Sequence, residues 1–338
     1  MSDFSFEVAE YANGLVPSKK KVGGAILAVS RKRLLVATVR SLLTTKANWT
    51  VRKYMAATIS PAMEFFIDQS AMPSYRVCLP KAGHLRDFSL TSRIGEFAQG
   101  IAYAYWAFHV RSFVTDFVDW TNARHPHFHS KKWPDFAVQP FGTTDIYALE
   151  AKGTLAGKYA PQMRKALLQS KGLCHHPGIT GAFATVVTFD AHGSGAASIH
   201  NQDPEGAGRA DERDRHEIFK RSFASWYEMA GNEAKAAECR NETPSILEMN
   251  GLLIGYVRDS VLKALNYGQD SEFVLAPAVE EAVFSFEAYQ RGDWRKALGN
   301  WSDDRLADER TDFPDGTAII PSPRGVGYRN RPTLRHDL

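Results

Sequence analysis

Cysteine is scarce in this chain. Its 338 residues include three, Cys78, Cys174 and Cys239, widely scattered. That is too few for a disulfide framework or a four-cysteine zinc site. The thiols read as ordinary buried or half-buried side chains of a cytoplasmic protein in a reducing compartment. Long apolar runs are also missing. No stretch approaches the roughly 20 apolar residues of a membrane helix, so no membrane partner is expected. The start, Met1-Ser2-Asp3-Phe4-Ser5-Phe6-Glu7, has no basic segment followed by an apolar one, which argues against a secretory signal. No Gly-x-x-x-x-Gly-Lys-Ser/Thr loop occurs. Lys152-Gly153-Thr154-Leu155-Ala156-Gly157-Lys158 fails to match it, which excludes nucleotide hydrolysis by that route. No Gly-x-Ser-x-Gly elbow occurs either, which argues against a hydrolase triad. Internal repeats and heptad runs are absent.

Acidic charge is scarce near the start. The first sixty residues hold Lys19, Lys20, Lys21, Arg31, Lys32, Arg33, Arg40, Lys46, Arg52 and Lys53, opposed only by Asp3, Glu7 and Glu10. The whole chain carries a formal charge of only +3, so this is local asymmetry. It suits a phosphate backbone, because neutralising phosphates releases counterions. A solvated basic face is the plainer explanation. With 44% hydrophobic and 23% charged residues, the composition is that of a globular protein.

Three regions are expected. Residues 1–85 form a basic N-terminal region. Within it Val22–Val29 and Leu34–Val39 are short apolar runs that fit strands or buried helix, and 49–69 has helical spacing. Residues 86–200 read as α/β. Phe97, Ile101, Tyr105, Phe108 and Phe113 recur at roughly helical spacing over 92–120. A histidine-rich connector, His125-Pro126-His127-Phe128-His129, follows. Strands are expected at 135–138, 146–151, 183–189 and 197–199, with a helix at 160–170. The polar stretch 201–215 marks a boundary. Residues 201–338 read as a mostly helical region, with amphipathic stretches at 216–240, 245–267 and 280–290 and a late strand at 317–320.

The chemistry concentrates in Trp133-Pro134-Asp135-Phe136-Ala137-Val138 and Tyr147-Ala148-Leu149-Glu150-Ala151-Lys152-Gly153. Alternate residues of a strand share a face, so Glu150 and Lys152 point the same way. If the strand after Asp135 pairs with this one, the two carboxylates converge. Asp135, Glu150 and the Ala151 carbonyl offer oxygen ligands suited to Mg²⁺. Lys152 could then position or deprotonate an attacking water and stabilise developing charge. A structural ion pair at a sheet end is the competing explanation.

Pro134-Asp135 and Glu150-Ala151-Lys152 resemble the PD-(D/E)XK phosphodiesterase superfamily, which includes restriction, repair and phage-defence nucleases. The resemblance covers about residues 90–200. It implies a central mixed β-sheet flanked by helices, a restriction-endonuclease-like core, and Mg²⁺-dependent hydrolysis of phosphodiester bonds, with Mn²⁺ able to substitute. DNA is the implied substrate, in restriction or antiviral defence. Asp135 and Glu150 would bind metal and Lys152 would activate water. Glu96, on the helix before the motif, would supply a supporting carboxylate; N-terminal helix charge explains it equally. On the helix after the motif, Gln162, Lys165 and Gln169 lie on one face and would contact the scissile phosphate or order water, Gln169 foremost.

Two alternatives come from other classes. In one, the chain is an inactive nuclease-fold subunit that binds nucleic acid or a protein partner in a larger complex. The helical C-terminal region would then serve for a partner or for homo-oligomer contacts. In the other, His125, His127 and His129 hold zinc in a hydrolase; Cys174-His175-His176 is a second, isolated cluster of metal-ligating types.

Overall fold

The computed structural model describes residues 4–43, 75, 87–130, 132–155, 158–170, 173, 176–189, 197–203, 209–230, 232–241, 271–298 and 311–321. The expected helices at 49–69 and 245–267, together with Cys78, Cys174 and His175, lie outside these residues.

The chain is α/β, with a seven-stranded mixed sheet flanked by helices. The first strand, β1 (Phe4–Tyr11), buries Phe4, Phe6 and Val8 and leaves Glu7 exposed. This is the period of two that a half-buried strand requires. It pairs antiparallel with β2 (Lys21–Val29) at one edge of the sheet. The run around Leu34–Val39, which fits either strand or buried helix by sequence, lies in helix α1 (Arg31–Leu43). Residues 34–43 of α1 are all buried, so no polar stripe is left to reveal a helical period.

The helical spacing over 92–120 resolves into several elements. Helix α2 (Asp87–Ala104) runs into one π-helical turn (Tyr105–His109), and Arg111 then adopts a left-handed φ of 61°. Strand β3 (Ser112–Asp116) follows, and Asp116 caps helix α3 (Phe117–Arg124) by accepting from the Asp119 N–H at 2.8 Å. Phe113 therefore belongs to a strand rather than to the end of one long helix. Its segment is taken by pairing with β4 (Phe136–Pro140), a long-range preference that local spacing does not carry.

After β4 come β5 (Tyr147–Thr154), α4 (Ala160–Ser170), β6 (Gly181–Thr188) and β7 (Ser198–Gln202). The strand order is β2-β1-β7-β6-β5-β4-β3. β4 pairs antiparallel with both β3 and β5, and β5 pairs parallel with β6 across the α4 connection. β7 is antiparallel to β6 and parallel to β1. Residues 4–29 thus build the same sheet as residues 112–202, across the 85/86 boundary expected from sequence.

The stretch 216–240 divides into α5 (Glu212–Met229) and α6 (Glu233–Cys239), and 280–290 into α7 (Pro277–Phe284) and α8 (Phe286–Arg291). Asn232 and Ser285 begin the second helix of each pair by accepting backbone N–H groups of Lys235 and Ala288, which is what such short polar side chains do at N-caps. The late strand is real and has company. β10 (Thr317–Pro321) lies between β8 (Ser271–Leu275) and β9 (Thr311–Asp312) in a three-stranded sheet, which accompanies the helices among the described residues of 201–338.

One buried cation ties the two ends of the chain together. Arg40 of α1 is 2% exposed. It donates to Asp315 at 3.0 Å, to Ser225 Oγ at 3.1 Å and to the Ser222 carbonyl at 2.9 Å, with its guanidinium 4.5 Å from the Trp226 ring centroid. Asp315 also accepts from Trp226 Nε1 at 2.9 Å and Thr317 Oγ1 at 2.6 Å. Every donor of this buried pair that faces another element has a partner, and removal of either charge strands the other. Arg40→Met and Asp315→Ala are each expected to cost about 3–5 kcal/mol, read as a lower denaturant midpoint in equilibrium unfolding. A loss below about 1 kcal/mol, the scale of an exposed pair, would contradict this role.

Candidate active site

β4 and β5 pair with Phe136 opposite Leu149 and Ala137 opposite Ala148. One step further along that register, Asp135 comes opposite Glu150. The ladder ends there, and the Asp135 side chain turns onto the neighbouring backbone. Its Oδ2 accepts from the Ala151 N–H at 2.9 Å. In an extended strand the N–H and C=O of one residue point to the same side. The Ala151 carbonyl therefore faces the side on which β4 has ended.

Glu150 is fully buried. Its Oε1 meets the Lys152 ammonium, two residues along the strand and on the same face. Its Oε2 accepts from Gln169 Nε2 at 2.9 Å. The same Gln169 amide donates to the Trp133 carbonyl at 2.7 Å, which locks α4 to the segment that delivers Asp135. From the other face, α2 contributes Gln99, whose Nε2 donates to Asp135 Oδ1 at 3.2 Å. Each oxygen of the two carboxylates thus has at least one donor.

The helix that carries Gln99 lies very close to β5. A Cβ at Gly153 would come within 2.7 Å of Ala98 Cβ and 2.8 Å of the Ile94 carbonyl. One turn on, a Cβ at Gly100 would meet Thr38 Cβ at 2.7 Å. Two glycines therefore seat α2 tightly between β5 and α1. Gln99 lies between these two contacts in the sequence and reaches past the strand end to Asp135.

Electrostatically the site is strained toward neutrality. Burial pushes the Glu150 carboxyl up to about 8; the Asp135 charge adds to the rise, and Lys152 opposes it. Burial also raises Asp135, against Lys152 and the hydrogen bonds from Ala151 and Gln99. For Lys152, burial pulls downward, yet Glu150 and Asp135 together hold the ammonium above its ordinary value. Two carboxylates share one lysine in a place with little water, so a full pair of negative charges is costly there.

The remaining residues singled out by sequence fall around this centre or away from it. Glu96 is 7% exposed on α2 and pairs with Arg93 at 2.7 Å, with a 3.5 Å bond from Ser92 Oγ. Its partners are on its own helix. Gln162 is half-buried and Lys165 exposed on α4, two turns and one turn before Gln169 respectively. Gln169 is joined directly to Glu150. Gln99 was not anticipated. Its signal was available, since it stands one turn after Glu96 on the same helix.

The histidine connector is folded into a turn. Phe128 N–H donates to the His125 carbonyl at 2.9 Å, so His125, His127 and His129 do not line one side of an extended segment. His125 turns to Asp214 at 3.1 Å, while its ring packs edge-on against His176, with centroids 4.9 Å apart. His176 lies against Trp120 and Phe128, and burial holds it down at about 4. Among the described residues no three His, Cys, Asp or Glu side chains are grouped to hold a metal ion, and none of the described helices is long and apolar enough to cross a membrane. No family model, curated protein or solved structure matches the chain.

The raised Glu150 value sets a sign for stability. A carboxyl with an ordinary value of 4.5 and a folded value of about 8 favours folding most when protonated. Its contribution is complete below pH 4.5 and is lost as pH rises through 8. In chelator, the thermal midpoint should fall over this window, and Glu150→Gln should lessen the fall and raise the midpoint at pH 8. A Gln variant less stable than wild type at pH 8 would show that the charged pair with Lys152 stabilises the fold.

Proposed function

We propose that the chain is a metal-dependent phosphodiesterase that cuts DNA. The carrying observation is the meeting of Asp135, Glu150 and Lys152 at the end of β4. Asp135 Oδ2 sits on the Ala151 N–H, and Glu150 is gripped by Lys152 and Gln169. Supporting it is the frame around them. The resemblance to the PD-(D/E)XK superfamily implies a mixed sheet between a helix bearing Glu96 and a helix bearing Gln169. Both helices flank the sheet here, α2 and α4 on opposite faces of β5.

The residues fit a hard divalent cation. Asp135, Glu150 and the Ala151 carbonyl would supply an all-oxygen ligand set, which Mg²⁺ prefers and Mn²⁺ accepts. Burial raises Glu150 most and the Asp135 charge adds to it; a cation between the carboxylates would offset both. Once bound, such an ion supplies Lewis acidity and a water of lowered pKa.

The protein's own groups do the rest. Gln169 and Gln99 fix the two carboxylates through amide N–H donors, as outer partners of metal ligands do. Lys152 is cationic at neutral pH and orients the attacking water beside Glu150. It also balances negative charge as the water oxygen bonds to phosphorus and the ester P–O bond breaks. The attacking water gives up a proton to solvent, and the leaving oxygen takes one up from solvent. Lys165 and Gln162, one and two turns before Gln169 on α4, would contact the scissile phosphate or order water. Exposed lysines at 19–21 and 158 give the approach a positive field. A cytoplasmic role in restriction or antiviral defence is consistent with this chemistry.

The test is incubation of plasmid and linear DNA with the purified chain in Mg²⁺ or Mn²⁺. Asp135→Ala, Glu150→Ala and Lys152→Ala should each reduce cleavage about a hundredfold or more, and Gln169→Ala about 10- to 100-fold. Added Mg²⁺ should raise the thermal midpoint of wild type and not of Asp135→Ala. Cleavage unchanged in both Glu150→Ala and Lys152→Ala would end this mechanism. DNA binding without cleavage or metal stabilisation in wild type would instead identify a non-catalytic subunit.

A further inference from the structure

The β1–β2 connection, residues 12–20, is a surface loop held as firmly as a core element. Gln202 of β7 is 1% exposed. Its Nε2 donates to the Gly14 carbonyl at 2.8 Å and the Val16 carbonyl at 2.7 Å, and its Oε1 accepts from the Ser18 N–H at 2.9 Å. The Tyr159 hydroxyl, just before α4, donates to the Ser18 carbonyl at 2.7 Å. Gly14 N–H donates to the Asp203 carbonyl and Ala12 N–H to the Lys20 carbonyl, each at 2.9 Å. Gly14 makes the bend with a φ of 142°.

This scaffold holds out an unusual tip. Leu15 is 40% exposed and Val16 67% exposed, and Lys19, Lys20 and Lys21 next along the chain are all exposed. A loop tip needs no apolar side chains for folding, and ordering this one costs backbone entropy. Its place in the sheet gives it a use. Tyr11 pairs with Gln202, Gln202 with Ala184, and Ala184 with Glu150. Residues opposite one another in neighbouring strands share a face, so the Gln202 side chain that holds the loop emerges on the same face as the Glu150 carboxylate. Two strand spacings, about 10 Å, separate these two backbone positions, and α4 packs over Ala184 between them.

We propose that this loop is a wedge: Leu15 and Val16 enter a DNA duplex between base steps close to the scissile phosphate, while Lys19–Lys21 hold the flanking phosphates. The proposal rests on the phosphodiesterase reading and adds how the substrate is gripped. Apolar side chains that part base steps require rigid support, because unstacking is costly, and cations beside them to hold the backbone. The Gln202 and Tyr159 bonds give the first and the lysines the second. A duplex, rather than a protein partner, is favoured by the lysine run that begins three residues after Val16.

The experiment uses the full chain carrying Glu150→Gln, which binds without cutting, and duplexes with 2-aminopurine at successive positions. Binding should raise the fluorescence at one or two adjacent positions. Adding Leu15→Ser and Val16→Ser should abolish that rise and weaken duplex binding about tenfold, the scale of one lost apolar burial, with the thermal midpoint retained. Lys19→Gln with Lys20→Gln should lower the salt slope of binding by about two. Binding with no fluorescence rise, or the same rise in the serine variant, overturns the wedge. Wild-type cleavage alongside either result leaves the phosphodiesterase reading standing. Absence of any DNA binding overturns both.

Discussion

Phe136 stands opposite Leu149, and from this pairing the geometry of the site follows. Because the period of a strand is two, a slip of one residue would send Glu150 and Lys152 to the opposite face, toward α2, and leave Ala151 beside α4. With the observed register, Asp135 arrives opposite Glu150 where the ladder stops, so its carboxylate can turn onto the Ala151 N–H. Phe136, Ala137, Val138, Ala148 and Leu149 are all buried, so apolar side chains fill both faces of this pairing. The polar site thus sits at the end of an apolar pairing.

Around that pairing, close helix approach replaces side-chain bulk. Gly153 and Gly100 leave room for α2 to lie between β5 and α1. This brings Gln99 to one carboxylate while α4 brings Gln169 to the other. The two amides act alike, each turning an N–H onto a carboxylate oxygen. Further out, the Arg40–Asp315 pair joins α1 to the small C-terminal sheet and to α5. It is a fully bonded buried charge pair, useful less for net stability than for allowing one arrangement of distant segments.

The same sheet face also gathers the loop at 12–20. One row of residues, running across β1, β7, β6 and β5, carries Tyr11, Gln202 and Glu150 on a single side. α4 covers the middle of that face through Met163, Ala166 and Leu167 packed on Ala184 and Val186. The carboxylates are left beside its C-terminal end and the held loop beside its N-terminal end. One helix therefore separates, and orients, the place for chemistry and the place for grip.

The sequence by itself determined the short-range features. Alternation and apolar runs located β4, β5, β6 and β7 and the helix at 160–170, and marked the run of β2 without deciding between strand and buried helix. The spacing of Glu150 and Lys152 set them on one face, and helical spacing put Gln162, Lys165 and Gln169 on one face of α4. Tertiary structure decided what depends on partners far along the chain. β1 and β2 join the central sheet because β1 finds β7 some 190 residues later. Phe113 is taken from a helical pattern into β3 by pairing with β4. α1 is helical although its buried residues show no polar stripe. Gln99 reaches Asp135 only because two glycines draw α2 down onto the strand. Local periodicity reports a residue's neighbours within a turn or a pleat, whereas register, crossing distance and the meeting of two carboxylates are set by packing between elements that the chain brings together from far apart.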